Sequence, residues 1–159
     1  MFHKTSLLFA SIIIIAGLVA CNSTPAAPTP DPTQVVLSLA GKYTSQLTAE
    51  DFQKSGLSDV GLENNLGAWS FEIEANGNFT ASQNGQFIAS GNISARGNEL
   101  NIQMLRVCDN CSCGGNIGRY TYAITAASDS NPKQLVFQKI YDTCDAMAFA
   151  LTAKPLQGK

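Results

Sequence analysis

Four cysteines make up the constellation in this sequence best equipped for chemistry: Cys108, Cys111 and Cys113 within 106-RVCDNCSCGG-115, and Cys144 far downstream. Sulfurs at such spacing suit a zinc cage, a dithiol redox couple or two disulfides. Zinc ribbons usually pair two CxxC units, and Cys144 has no close partner, so no metal is expected. Reactive CxxC thiols rely on a helix N-terminus to lower their pKa, whereas Cys108-Asp-Asn-Cys111 sits in a Gly-rich loop between two strand patterns. What remains depends on the compartment.

The first residues, MFHKTSLLFASIIIIAGLVAC, read as a secretory signal peptide over 1–20: His3 and Lys4 are basic, Leu7 to Val19 are mostly apolar, and small residues follow. The apolar run is well short of the roughly 20 residues that span a bilayer. Next, 22-NSTPAAPTPDPTQ-34 carries most of the prolines and no large apolar residue. Residues 21–35 are therefore expected to be a linker, extended at about 3.1 Å per residue and able to hold a domain roughly 40 Å from a membrane. The folded part is expected over 36–159.

Outside the cytoplasm an even set of cysteines reads as disulfides. Of the three pairings of four sulfurs, the one joining Cys111 to Cys113 across a single residue should be strained. The other two stay open.

About 125 residues suffice for one domain with a real core and are too few for two. Beyond the signal peptide nine basic residues face twelve acidic ones, a net charge of −3. With no basic patch to neutralise phosphates, nucleic acid is not an expected partner. Cleavage would also remove His3, the single histidine. Serine and cysteine nucleophiles paired with histidine, histidine-ligated zinc and proximal-histidine haem all fall away. Glu72 and Glu74 remain as a carboxylate pair, but on an alternating strand both face solvent. No enzyme and no cofactor is expected.

Alternation places the elements that carry these residues. In 68-AWSFEIEANGNFTAS-82, Trp69, Phe71, Ile73 and Ala75 share one face and Ser70, Glu72 and Glu74 the other, before an Asn76-Gly77 turn. Further turns at Asn84-Gly85 and Gly97-Asn98 separate 86-QFIASGNISA-95 from 99-ELNIQML-105, with Phe87, Ala89, Gly91 and Ile93 expected on one face. Tyr120, Tyr122 and Ile124 alternate in 118–126, and strands are expected at 134–140 and 145–153. A first strand at 40–48 precedes a long connection, 49–67, with room for a helix near 49–54. About eight sequential antiparallel strands suit an all-β up-and-down barrel, which closes without an edge. In that order the connections after the fifth and seventh strands lie at one end, beside the long first loop.

Leu18-Val19-Ala20-Cys21 resembles the lipobox of bacterial lipoproteins, which implies lipid on Cys21 and a membrane partner through that anchor. From about Leu39 to Leu151 the chain resembles the small lipocalin-like lipoproteins of bacteria, in the broader calycin group. The similarity rests on Leu39-Ala40-Gly41-Lys42-Tyr43, Gly67-Ala68-Trp69 with its Asn76-Gly77 hairpin, and Cys113 seven residues before Tyr120-Thr-Tyr122. That last stretch is matched with Leu135-Val-Phe137 and Asp142-Thr-Cys144.

The resemblance implies a monomeric, extracytoplasmic barrel at the outer membrane or the outer face of the plasma membrane. It singles out Cys113 with Cys144, leaving Cys108 with Cys111. Closing a loop of about 30 residues would stabilise the fold by roughly 3 to 4 kcal/mol. Tyr43 stands where the family has Trp, and Ala146-Met147-Ala148 where it often has the Arg that packs over that Trp, so the base is expected to be sealed differently.

A barrel of about eight strands either fills with side chains or holds one small ligand. The expected lining is Tyr43, Trp69, Phe71, Phe87, Ile102, Met104, Tyr120, Tyr122, Phe137 and Phe149, around a small apolar ligand. With a filled barrel, the alternative is an envelope protein-interaction module, of inhibitor or adhesion type, using a disulfide-fixed rim.

Overall fold

A computed structural model describes residues 31–57, 62–111 and 113–159. The expected signal peptide, Cys21 and the Pro-rich segment up to residue 30 lie outside the described residues. Among those described, no helix is long and apolar enough to cross a membrane.

Eight antiparallel strands close an up-and-down barrel: β1 Gly41–Leu47, β2 Gly67–Ile73, β3 Asn78–Gln83, β4 Gln86–Arg96, β5 Glu99–Val107, β6 Ile117–Thr125, β7 Gln134–Tyr141 and β8 Leu156–Gly158. Each strand pairs with the next, and β8 returns to β1. Period-two alternation sets the register: Tyr43 opposes Phe71 and Ser45 opposes Trp69, all four buried. Glu72 lies on the outer face, paired with exposed Lys42 at 3.1 Å.

The tight turns follow their residues. Asn84 and Gly85 both have positive φ, +51° and +80°, as a two-residue type I′ hairpin requires. The hairpin ends at Asn76-Gly77 and Gly97-Asn98 gather at one end of the barrel, its base. The 48–66 connection, Asn84-Gly85, the cysteine loop and residues 142–144 gather at the other, its mouth.

Three expectations are corrected. The eighth strand is not 145–153 but the three residues of β8, and Asp145–Thr152 form helix α3. Ala, Met and Leu are strong helix formers, Asp145 suits a first turn, and Pro155 stops the run. Because β8 meets β7 at Gln134 and Leu135 and β1 at Tyr43 and Thr44, it closes the seam at the base alone. Higher up, α3 packs against β7, with Met147 to Leu151 all buried.

The boundary at residue 35 also moves. Helix α1, Pro32–Leu39, starts with Asp31 as N-cap, its side chain accepting from the Thr33 N–H at 2.9 Å, and with proline at the first helical position. Val35, Val36 and Leu39 make its buried face. The base is sealed there: Tyr43 Oη donates to the Leu39 carbonyl at 2.7 Å. Lys133 Nζ lies 5.4 Å from the Tyr43 ring centroid and donates to the carbonyls of Ser38 at 2.8 Å and Ala40 at 3.3 Å. A lysine from the β6–β7 connection and a helix thus close the base, over a tyrosine.

The third correction is Phe87. A bulge between Ala81 and Ser82 pairs Ser82 with Phe87, so Ile88 is the extra residue and the strand changes phase. Phe87 falls on the outer face, half-buried under the Arg106 guanidinium 5.0 Å from its ring centroid, while Ile88 packs against the core.

Outside α3 lies helix α2, Ala49–Lys54, with a Thr48–Asp51 capping box. Phe52 meets Phe149 edge to face at 5.8 Å, and Lys154 reaches Asp51 at 2.6 Å. Burial acts to raise the Asp51 carboxyl, but hydrogen bonds from Lys154 and Thr48 outweigh it and hold the group below the ordinary carboxylate value.

Candidate functional site

The barrel centre is filled. Tyr43, Trp69, Phe71, Ile102, Met104, Tyr120 and Phe137 are all buried, as the alternation implied, and Tyr122 packs half-buried against them, whereas Phe149 is buried on the other face of α3, against Phe52 of α2. Met147 and Leu151, one turn apart on α3, meet Phe71, Ile73, Phe79, Ile93, Ile102, Phe137 and Leu156 around a void of about 10 Å³. That is at the lower limit of what could admit one water. Most of the ten expected lining residues therefore make core.

A cup of about 520 Å³ opens instead at the mouth. Its volume falls in the usual range for small-molecule sites. Its floor is Trp69, Ile88, Ala89, Met104, Val107, Ala146 and Met147, and its polar wall Asn64, Asn65, Gln83, Asn110, Thr143 and Asp145, with Cys108, Cys111, Cys113 and Cys144 completing it. Of the expected lining, only Trp69 and Met104 belong to it.

Side-chain hydrogen bonds fix one wall. A 3₁₀ turn, Leu62–Asn65, carries Asn64 and Asn65. Trp69 Nε1 donates to the Asn65 carbonyl at 2.7 Å, and Gln83 Nε2 donates to the carbonyls of Asn64 and Leu66, each at 2.8 Å. Asn84 Oδ1 accepts from the Ala68 N–H at 2.9 Å, joining the β3–β4 hairpin to the same wall.

Covalent bonds fix the other. Cys108 is bonded to Cys111 and Cys113 to Cys144, so the four sulfurs form two disulfides and not a thiolate cage. The first staples a four-residue turn on the rim, where the Cys108 N–H also donates to the Ile88 carbonyl at 2.8 Å. The second ties the β5–β6 loop to the start of α3. There Asp142 is the organiser: Oδ1 accepts from the Cys144 N–H at 2.7 Å and Oδ2 accepts from the Tyr120 hydroxyl. Gly118 leaves the space, since a Cβ there would run into the Asp142 carboxylate and the Tyr120 ring. Burial, and then the neighbouring Asp142 charge, push the Tyr120 phenol well above its ordinary pKa, so it stays a donor.

Alternation finds residues that face inward, but it does not find Asn64, Asn65, Gln83, Ile88, Asn110 or Asp145. Most of these sit in loops and strand ends at the mouth. The available signal was positional, because they flank the connections that an up-and-down order brings to one end.

Comparison of the chain with protein-family models, with curated proteins and with solved structures finds no match in any of the three. The functional reading therefore rests on the fold and on this cup.

Proposed function

We propose that the protein is a lipid-anchored binding protein of the bacterial cell envelope, lipocalin-like in design, whose small ligand sits in the mouth cup and not in the barrel centre. The observation that carries this reading is the contrast in volume: about 520 Å³ at the mouth against about 10 Å³ in the centre. The lipobox-like Leu18-Val19-Ala20-Cys21 supports the anchor. Since α1 enters at the base, a tether on Cys21 would leave the cup opening away from the membrane.

An apolar floor with an amide-rich wall suits the binding of a small molecule. The test is native mass spectrometry of the mature protein purified from its own host, beside the Ala146→Trp variant that fills the cup. A retained small molecule is expected in the first and absent from the second. A retained molecule unaffected by Ala146→Trp would overturn the assignment.

A protein-binding rim is the second reading. It is favoured by Leu105, Ile117 and Tyr141, exposed at 61%, 48% and 54% on the mouth ends of β5, β6 and β7. It predicts a partner whose co-purification is lost in a Leu105→Ser/Tyr141→Ser variant and kept in Ala146→Trp.

A further inference from the structure

Among the polar groups of the cup, Asn64, Asn65, Asn110 and Thr143 can donate or accept, and the remaining ones lean towards acceptance. Gln83 spends its amide nitrogen on two backbone carbonyls, which can only accept, so its orientation is settled and Oε1 is what it has left to offer. Trp69 spends its one N–H on the Asn65 carbonyl. The disulfide sulfurs and the thioethers of Met104 and Met147 are at most weak acceptors. Among the described residues that line the cup, Asp145 is charged and no lysine or arginine is present. The cation nearest Asp145, Lys139, stands outside the lining at 3.7 Å, with both side chains partly exposed, 39% and 44%. So loose a pair leaves much of the carboxylate's field in place.

We propose that the cup selects small organic cations with an apolar body over anions of the same shape, and that Asp145 is the residue that discriminates. This rests on the mouth cup being the ligand site. An apolar body lies on the Met104, Ile88 and Val107 floor, and an ammonium group faces Asp145 and the amide oxygens. A carboxylate in that position meets a like charge and, among the described lining residues, no lysine or arginine to offset it, so it binds more weakly than an ammonium on the same apolar body. Lys139 acts in the opposite sense to Asp145, as a partial neutraliser reached from outside.

The test uses the chain from Asn22 onward, which carries every described element. Displacement of the neutral fluorescent probe 1-N-phenylnaphthylamine is measured with three competitors that share one apolar body: 3-phenylpropyltrimethylammonium, 3-phenylpropan-1-ol and 4-phenylbutanoate. The ammonium is expected to bind about tenfold more tightly than the carboxylate, with the alcohol between them. Asp145→Asn should bring the three to within about twofold, and Lys139→Gln should widen the spread. Circular dichroism checks that both variants stay folded. If the probe and all three competitors fail to bind, the cup itself is not the site. If they bind without charge preference, or if Asp145→Asn keeps the preference, the cup stands and the selectivity proposal falls.

Discussion

The two ends of the barrel solve the same problem in different ways. At the base, tight hairpins, helix α1 and the Lys133–Tyr43–Leu39 set close the barrel with hydrogen bonds and buried apolar side chains. At the mouth, long connections leave a cup of about 520 Å³, and two disulfides do what packing does at the base. The difference shows what an open site demands. Loops that must leave a hollow cannot bury enough apolar surface to hold themselves, so their geometry is set by covalent bonds and by a few committed polar groups.

Breaking the covalent end should therefore cost most. Replacing Cys113 and Cys144 together by alanine opens a bridge with a sequence separation of 31. Urea unfolding is expected to show a loss of about 4 kcal/mol by the chain-entropy model. The Cys108–Cys111 bridge, with a separation of 3, should give about half of that when removed. Equal losses from both pairs would undo the view that one is a fold staple and the other a rim staple.

Leu151→Ala empties part of the barrel centre and should cost about 3 kcal/mol, on the scale of buried leucine truncations. It also sharpens the contrast between a filled centre and a hollow mouth. Xenon or benzene should stabilise this variant and leave the wild-type centre untouched, a difference that thermal unfolding under each ligand would read.

Tyr120→Phe removes the hydroxyl from Asp142 and should cost about 2 kcal/mol, the range for a bond to a charged acceptor. Its pH signature is distinct. The folded phenol binds its proton more tightly than an unfolded tyrosine, whose pKa is about 10. The contribution is complete below about pH 10 and is lost as pH rises above it, so Tyr120→Phe should flatten the alkaline limb of stability against pH.

Lys133→Met, at the base, should cost the least, about 1 kcal/mol for the loss of a half-exposed cap on two carbonyls. A loss larger than that of the Cys113–Cys144 bridge would reverse the ranking of the two ends.

Most of the fold was legible. Alternation and Asn-Gly turns located β1 to β7, because period two is a local property and Asn84-Gly85 can take the φ > 0 pair that a tight hairpin needs. Asp31-Pro32, a helix-start pattern, was hidden by the prolines around it, which made the stretch up to residue 35 read as an extended linker. The 145–153 segment misled because Met147, Phe149 and Leu151 alternate as a strand would, while Met147 and Leu151 are also one helical turn apart. Phe87 misled because a single bulged residue, Ile88, reverses which face the strand end presents, and nothing local announces it.

The cup was not legible in the same sense, since Gln83, Asn110 and Asp145 come from separate strands and loops and meet only at the mouth. What the sequence determined by itself is which faces are apolar, where the chain turns and the order in which neighbouring strands pair, all of which follow from local stereochemistry. Whether the barrel is hollow was decided by the tertiary structure. An eight-stranded interior is at the threshold between filled and empty, and the balance is a sum over side chains from every element. Here Met147 and Leu151 of a helix that closes the seam tip that sum to filled in the centre, and the hollow is left at the mouth.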